Sequence, residues 1–201
     1  QQEVEWDFTG YDPLGLTPIS NWGKFYTPAN GSGGYMRGAE LSGALGGEVI
    51  HPALDGFGLL FNASYTESSI DPDGPGGSST DTLPGLSKVV ANATLYYEKH
   101  GFSARISQRY RDKYRGEYAS LFGDRIYQNT MAETTMDLQL SYDFADTSAL
   151  SGMSVLLQVN NLNNEPYRTE TTAGGIAEQI WLPLEYKEYG RQYLLGVRYA
   201  F

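Results

Sequence analysis

Met136-Asp137-Leu138-Gln139-Leu140-Ser141-Tyr142-Asp143-Phe144 alternates without a break: the even positions are all apolar or aromatic, the odd ones all polar. Successive side chains of a β-strand point to opposite faces, so the stretch builds a strand with one apolar and one polar side. The same period recurs outward from it. Tyr193, Leu195, Val197, Tyr199 and Phe201 alternate with Leu194, Gly196, Arg198 and Ala200, and Phe57, Leu59, Phe61, Ala63 and Tyr65 with Gly58, Leu60, Asn62, Ser64 and Thr66. Further strands are expected over residues 89–97, 102–110 and 153 to about 169, with weaker ones over 35–45 and 4–8. Helical periodicity is absent, which predicts an all-β chain of about eight strands.

Composition narrows the class. The 201 residues carry 14 Lys+Arg against 24 Asp+Glu, a net charge of −10, and this excludes the basic face that a nucleic-acid binder needs. Charged residues are only 19% while aromatics reach 13%, with 16 tyrosines, a mixture unlike a cytosolic domain. No run of about 18 apolar residues offers a membrane-spanning helix, and the start at Gln1 lacks the features of a signal peptide. With no cysteine, disulfides and thiolate metal sites are excluded.

The connections are sorted as regularly as the side chains. Residues 10–34, 70–86, 112–131 and 170–187 read as long loops, whereas 50–56, 98–101 and 145–152 read as short turns. Long loops at one end and tight turns at the other characterise an antiparallel up-and-down transmembrane β-barrel, the turns periplasmic and the loops extracellular. A soluble sandwich does not sort its loops in this way. The assignment also gathers Phe57, Tyr97, Phe102, Tyr142, Phe144, Tyr199 and Phe201 at the periplasmic end and Tyr35, Tyr65, Tyr110, Tyr114, Tyr167 and Tyr189 at the other. Two aromatic girdles are what the two headgroup levels of a bilayer select.

Two further stretches carry a resemblance. Val159-Asn160-Asn161-Leu162-Asn163-Asn164-Glu165-Pro166-Tyr167, followed by Glu188-Tyr189-Gly190-Arg191-Gln192-Tyr193-Leu194-Leu195-Gly196-Val197-Arg198-Tyr199-Ala200-Phe201, resembles the end of a TonB-dependent outer-membrane receptor. Tyr35-Met36-Arg37-Gly38-Ala39-Glu40-Leu41 and Leu83-Pro84-Gly85-Leu86-Ser87 are similar to the same family further upstream. The resemblance implies a bacterial outer-membrane importer in which a 22-stranded barrel encloses a plug and the TonB complex drives uptake of an iron chelate, cobalamin or carbohydrate. It implies as partners the plug, the remaining barrel strands, outer-membrane lipid and a small-molecule ligand. The terminal alternation Tyr193, Leu195, Val197, Tyr199 and Phe201 resembles the signal read by the barrel-assembly machinery. Nothing in the chain resembles a plug or a TonB box, so residues 1–201 are expected to be the C-terminal part of the receptor barrel, matched from about Tyr35 onward, with Gln1 as a truncation point. The competing expectation is a complete eight-stranded barrel of about 200 residues, acting as an adhesin, anchor or narrow pore.

Residues able to carry catalysis are scarce, and no enzyme, cofactor or metal site is expected. His51 and His100 fall in separate turns and read as solvated residues. Gly31-Ser32-Gly33-Gly34 and Gly74-Pro75-Gly76-Gly77 lack the Lys-Ser or Lys-Thr of a phosphate loop. Asp71-Pro72-Asp73-Gly74, near Asp81, matches a calcium loop only in part. Asn62 and Asn92 are expected as inward-facing polar pairs within strands. Arg105, Arg109 and Arg111, with Ser103 and Ser107, line one strand, and Asp137, Gln139 and Asp143 line its partner, as the wall of a water-filled or plugged lumen requires. Ligand selection is expected in the extracellular loops, from Tyr114, Arg115, Tyr118, Phe122, Arg125 and Tyr127 in one, Trp181 and Tyr186 in another, and Trp22, Phe25 and Tyr26 in a third.

Overall fold

A computed structural model describes residues 2–5, 22–25, 33–70, 82–119, 125–172 and 181–200. Among the described residues thirteen strands run in order: β1 (Gln2–Glu5), β2 (Trp22–Phe25), β3 (Gly34–Gly46), β4 (Phe57–Ile70), β5 (Val89–Lys99), β6 (Phe102–Arg111), β7 (Tyr114–Ala119), β8 (Arg125–Thr130), β9 (Glu133–Asp143), β10 (Met153–Asn160), β11 (Tyr167–Thr172), β12 (Trp181–Lys187) and β13 (Gln192–Tyr199). They form three antiparallel sheets: β1-β2, a seven-stranded sheet of order β13-β10-β9-β6-β5-β4-β3, and a four-stranded sheet of order β12-β11-β8-β7.

The seven-stranded sheet holds the alternating stretches in one register. Leu45, Leu59, Leu95, Ile106, Leu138, Val159 and Tyr193 stand opposite one another across all seven strands. The row on the short-turn side of it runs Phe57, Tyr97, Ala104, Leu140, Leu157 and Leu195. Cross-strand pairs of this kind are the unit of sheet stabilisation. Most of these side chains are nevertheless half-exposed or exposed, and Val159 is the one buried hydrophobic among the described residues. The apolar face thus has no protein layer against it, which an outer face meeting hydrocarbon explains and a soluble sandwich does not.

Aromatic rings bracket that face. Phe57 and Tyr97 lie 4.6 Å apart between centroids, Tyr97 and Phe102 6.2 Å, and Tyr142 meets Phe144 edge-on at 5.1 Å. At the other end of β4 stands Tyr65, beyond which the Arg37–Glu67 ion pair, at 2.8 Å, appears on the same face. From Phe57 to Tyr65 the strand rises about 27 Å. A tilt of about 40° reduces this to about 21 Å, near the ~25 Å apolar band of an outer-membrane barrel. Three tyrosines expected in the upper girdle lie elsewhere: Tyr114 and Tyr167 begin strands of the four-stranded sheet, and Tyr189 lies between β12 and β13.

The connections at the short-turn end span two to ten residues. His100, with φ of 53°, and Gly101, with φ of 79°, form the two-residue connection between β5 and β6, the conformation that best matches the strands' twist. His51 lies between two short 3-10 turns, and its Nδ1 accepts from the Ala53 amide at 3.1 Å. Close approach fixes one glycine: a Cβ at Gly58 would enter the Tyr96 ring, which lies across it on the polar face.

Three sequence expectations are corrected. The strand expected from residue 153 to about 169 ends at Asn160 and resumes at Tyr167, because Asn161 and Asn164 take left-handed conformations, with φ of 54° and 55°. The intervals 10–34, 112–131 and 170–187 are not simply loops; they contain β2, β7, β8, the end of β11 and β12. Residues 35–45, read as a weak strand, lie in β3, one of the longest at 13 residues, since its small residues reduce the apolar signal without hindering pairing. Among the described residues β3 and β13 are the outer edges of the sheet, so the described strands do not close into the competing eight-stranded barrel.

The two faces are separable by substitution. Leu138→Arg in the full protein folded into phospholipid vesicles is expected to lower unfolding stability by about 2–4 kcal/mol. Ser141→Lys on the opposite face should change it by less than about 1 kcal/mol. Urea midpoints in vesicles would measure both.

Candidate functional site

Four of the seven strands continue beyond the sheet. β6 passes into β7 through residues 112–113, β8 into β9 through 131–132, β10 into β11 through 161–166, and β12 into β13 through 188–191. The order β12-β11-β8-β7 repeats β13-β10-β9-β6, so the small sheet is an outward extension of four long strands broken at one level. Broken ladders leave backbone groups without partners, and side chains at this seam replace them.

Asn161 carries most of that replacement. Its amide nitrogen donates to the carbonyls of Glu165 and Gly190, each at 3.2 Å, and its side-chain oxygen accepts from the Glu165 amide at 2.8 Å. Asn163 imitates a strand: its oxygen accepts from the Met136 amide at 3.0 Å while its nitrogen donates to the Thr134 carbonyl. Arg191 donates to the Leu162 carbonyl at 2.7 Å, and the Asn161 amide donates to Asp137 at 2.9 Å. The asparagine-rich motif is therefore a clasp between β9, β10 and the β12–β13 junction. A second clasp joins the segment ahead of β5 to the end of β6 and the start of β7. Arg111 donates to Ser87 Oγ at 2.9 Å and to the Gly85 carbonyl at 3.0 Å, with its guanidinium 4.0 Å from the Tyr114 ring centroid. The Gly85 amide in turn donates to the Arg115 carbonyl at 2.6 Å.

The residues expected to face the lumen share one face of the sheet. Arg105 stands opposite Gln139, Ser107 opposite Asp137, and Asp143 opposite Ser154. Arg109 pairs with Asp137 at 3.1 Å, Arg105 with Glu98, and Thr94 with Ser107 at 2.9 Å. Asn92 donates to Asn62 at 2.7 Å. These contacts are half-exposed and each contributes little by itself, so the face is a satisfied polar wall rather than a set of free charges. Arg111, being engaged by the clasp, is a positioning residue.

The residues expected to select a ligand are divided by the structure. Tyr114, Arg115 and Tyr118 lie in β7, Arg125 and Tyr127 in β8, and Trp181 and Tyr186 in β12. The backbones of Arg115 and Asn129 are paired, as are those of Glu117 and Tyr127, of Tyr118 and Ile126, and of Arg168 and Tyr186. Asn129 donates to Glu170 at 3.0 Å, linking β8 to β11. Tyr186 donates to Glu188 at 2.9 Å, and that bond holds its phenol above the ordinary value. Lys187, bonded to Glu185 at 2.9 Å, is likewise raised, and its ammonium lies 5.9 Å from the Tyr167 ring centroid. Phe122, Tyr26, Asp81, Phe201 and the Asp71–Gly74 and Gly74–Gly77 motifs lie outside the described residues, as do the side chains of Trp22, Phe25, Tyr118, Arg125 and Tyr127.

Sequence reasoning missed a cavity at the seam. It is bounded by Glu133 and Thr135 of β9, Asn160, Asn161 and Glu165, Pro166 and Tyr167, and Tyr189, Gly190 and Gln192. The signal available was the pair Asn161 and Asn164 ahead of Pro166, residues that end a strand and allow a left-handed turn.

Residues 3–162 match the family described as TonB dependent receptor-like, beta-barrel. The match begins well before Tyr35, so the start of the chain is not foreign to the family, contrary to the expectation above. No curated protein and no solved structure matches the chain.

Substitution at Asn161 separates the clasp's two components. Asn161→Gly keeps the backbone conformation and loses the side-chain bonds, an expected cost of about 2 kcal/mol. Asn161→Ala adds the left-handed penalty of about 1 kcal/mol. Stepwise lowering of the urea midpoint from wild type to Gly to Ala would be the confirming pattern, and equal midpoints for Gly and Ala would refute it.

Proposed function

The chain belongs to the TonB-dependent receptor barrel family, an outer-membrane family of transporters, and from that premise we propose that residues 1–201 form the C-terminal part of the barrel of an active importer. The observation carrying this reading is the match over residues 3–162, on a sheet with one uncovered apolar face and one polar face. The open edges at β3 and β13 support a sheet completed by further barrel strands. Its apolar rows suit outer-membrane lipid, and its polar wall suits a plug domain packed within the barrel.

In this reading a scarce nutrient, an iron chelate, cobalamin or carbohydrate, is captured at the outward extension. It passes along the Arg105, Arg109, Asp137 and Gln139 wall once the TonB complex, acting on the plug, opens the lumen. Tyr114, Arg115, Tyr118, Phe122, Arg125, Tyr127, Trp181 and Tyr186 remain the proposed ligand contacts. Tyr193, Leu195, Val197, Tyr199 and Phe201 are proposed as the segment recognised by the barrel-assembly machinery. Exposure of the first four along the edge strand β13 supports that role.

Uptake tests the reading directly. Cells dependent on this receptor are expected to accumulate at least one labelled nutrient in a manner abolished both by removing the receptor and by removing TonB. Accumulation of every nutrient tried that persists without TonB would refute the proposal.

A further inference from the structure

The seam cavity is an open cleft of about 240 Å³ on the polar face of the sheet. Register fixes that orientation, for Thr135 stands opposite Arg109 and Glu133 opposite Arg111 on β6, while Gln192 stands opposite Asn160. Glu165 and Tyr167 enter from the end of the β10–β11 junction, and Tyr189 from the β12–β13 junction. Three segments distant in sequence therefore converge at the level where the long strands break.

The lining is anionic in charge and mixed in hydrogen bonding. Two carboxylates border it and no Lys or Arg does. Arg168 offsets Glu165 at 3.4 Å, but the Glu133 carboxylate has no ion-pair or hydrogen-bond partner among the described residues. An anionic ligand would meet like charge here, a juxtaposition that costs several kcal/mol. A bare cation would meet the Lys187 ammonium, 5.9 Å from the Tyr167 ring centroid, and the Arg168 guanidinium beside Glu165, a like-charge juxtaposition of the opposite sign. Hydroxyl groups both donate and accept, so adjacent hydroxyls on one ring satisfy the carboxylates and the amide together. Tyr189, 68% exposed, and Tyr167 supply faces for the ring's C–H surface. The volume lies below the ~300–1,000 Å³ of drug-sized ligand sites, which suits a single ring rather than a chain of them.

We propose that this cavity is a subsite for one neutral polyhydroxylated ring, a sugar unit, with Glu133 accepting its hydroxyls. The assignment rests on the import reading above and narrows its ligand class.

Calorimetric titration of the full-length receptor with glucose, galactose, maltose and cellobiose tests it, with spermidine and citrate as cationic and anionic probes. At least one saccharide is expected to bind, weakened about tenfold or more by Glu133→Ala and less by Glu133→Gln, which keeps an acceptor. Gel mobility before and after heating reports whether each variant is folded, and Gln192→Ala, expected to weaken the same saccharide, replaces any variant that is not. The subsite is overturned when no saccharide binds, when binding is unchanged by these variants, or when only spermidine or citrate binds. TonB-dependent uptake in the same cells keeps the two readings apart. Uptake persisting without saccharide binding removes the subsite alone, whereas uptake independent of TonB removes the import reading.

Discussion

Hydrocarbon offers no hydrogen-bond partner, so every backbone N–H and C=O that crosses it must be paired within the protein. That constraint accounts for the long unbroken ladders of β3 to β6 and β9, 10 to 14 residues each. It also reverses the ordinary logic of burial. The rows through Leu138 and Leu140 are exposed in the isolated sheet because their partner is lipid, while the polar face carries the ion pairs and amide contacts that a soluble protein would turn to solvent.

Where the strands leave the apolar band, the constraint relaxes and irregular backbone becomes tolerable. The chain uses that freedom at a single level, interrupting four strands and repairing the gap with Asn161, Asn163, Arg111 and Arg191. Water at this level solvates what the clasps leave over. Breaking the ladders also opens the cavity with Glu133, which thus follows from the same interruption as the outward sheet.

The face of each strand was legible in the sequence because lipid makes the two-residue period unusually clean, as in residues 136–144. Register was not legible, since pairing Leu138 with Ile106 and Val159 depends on turn geometry and on the whole sheet at once. The outward sheet escaped notice for a different reason. With water on both sides, stretches such as Tyr114-Arg115-Gly116-Glu117-Tyr118 and Tyr167-Arg168-Thr169-Glu170-Thr171 need no alternation and read as loops. The asparagine motif was visible as a family-like string, yet its physical role as a strand break required the positive φ angles of Asn161 and Asn164. The cavity was invisible because its walls come from separate parts of the chain.

The repeated strand order of the two sheets has an evolutionary corollary. Because the outward sheet joins the membrane sheet at four junctions of two to six residues each, mutation, insertion or recombination beyond those junctions leaves the lipid-matched ladders untouched. With ligand contacts in the outward sheet, as proposed, selection on recognition is then uncoupled from selection on membrane fit. A lineage can diversify the upper tier rapidly while the lower tier drifts slowly, and the Asn161 and Arg111 clasps mark where a graft between receptors would be cut.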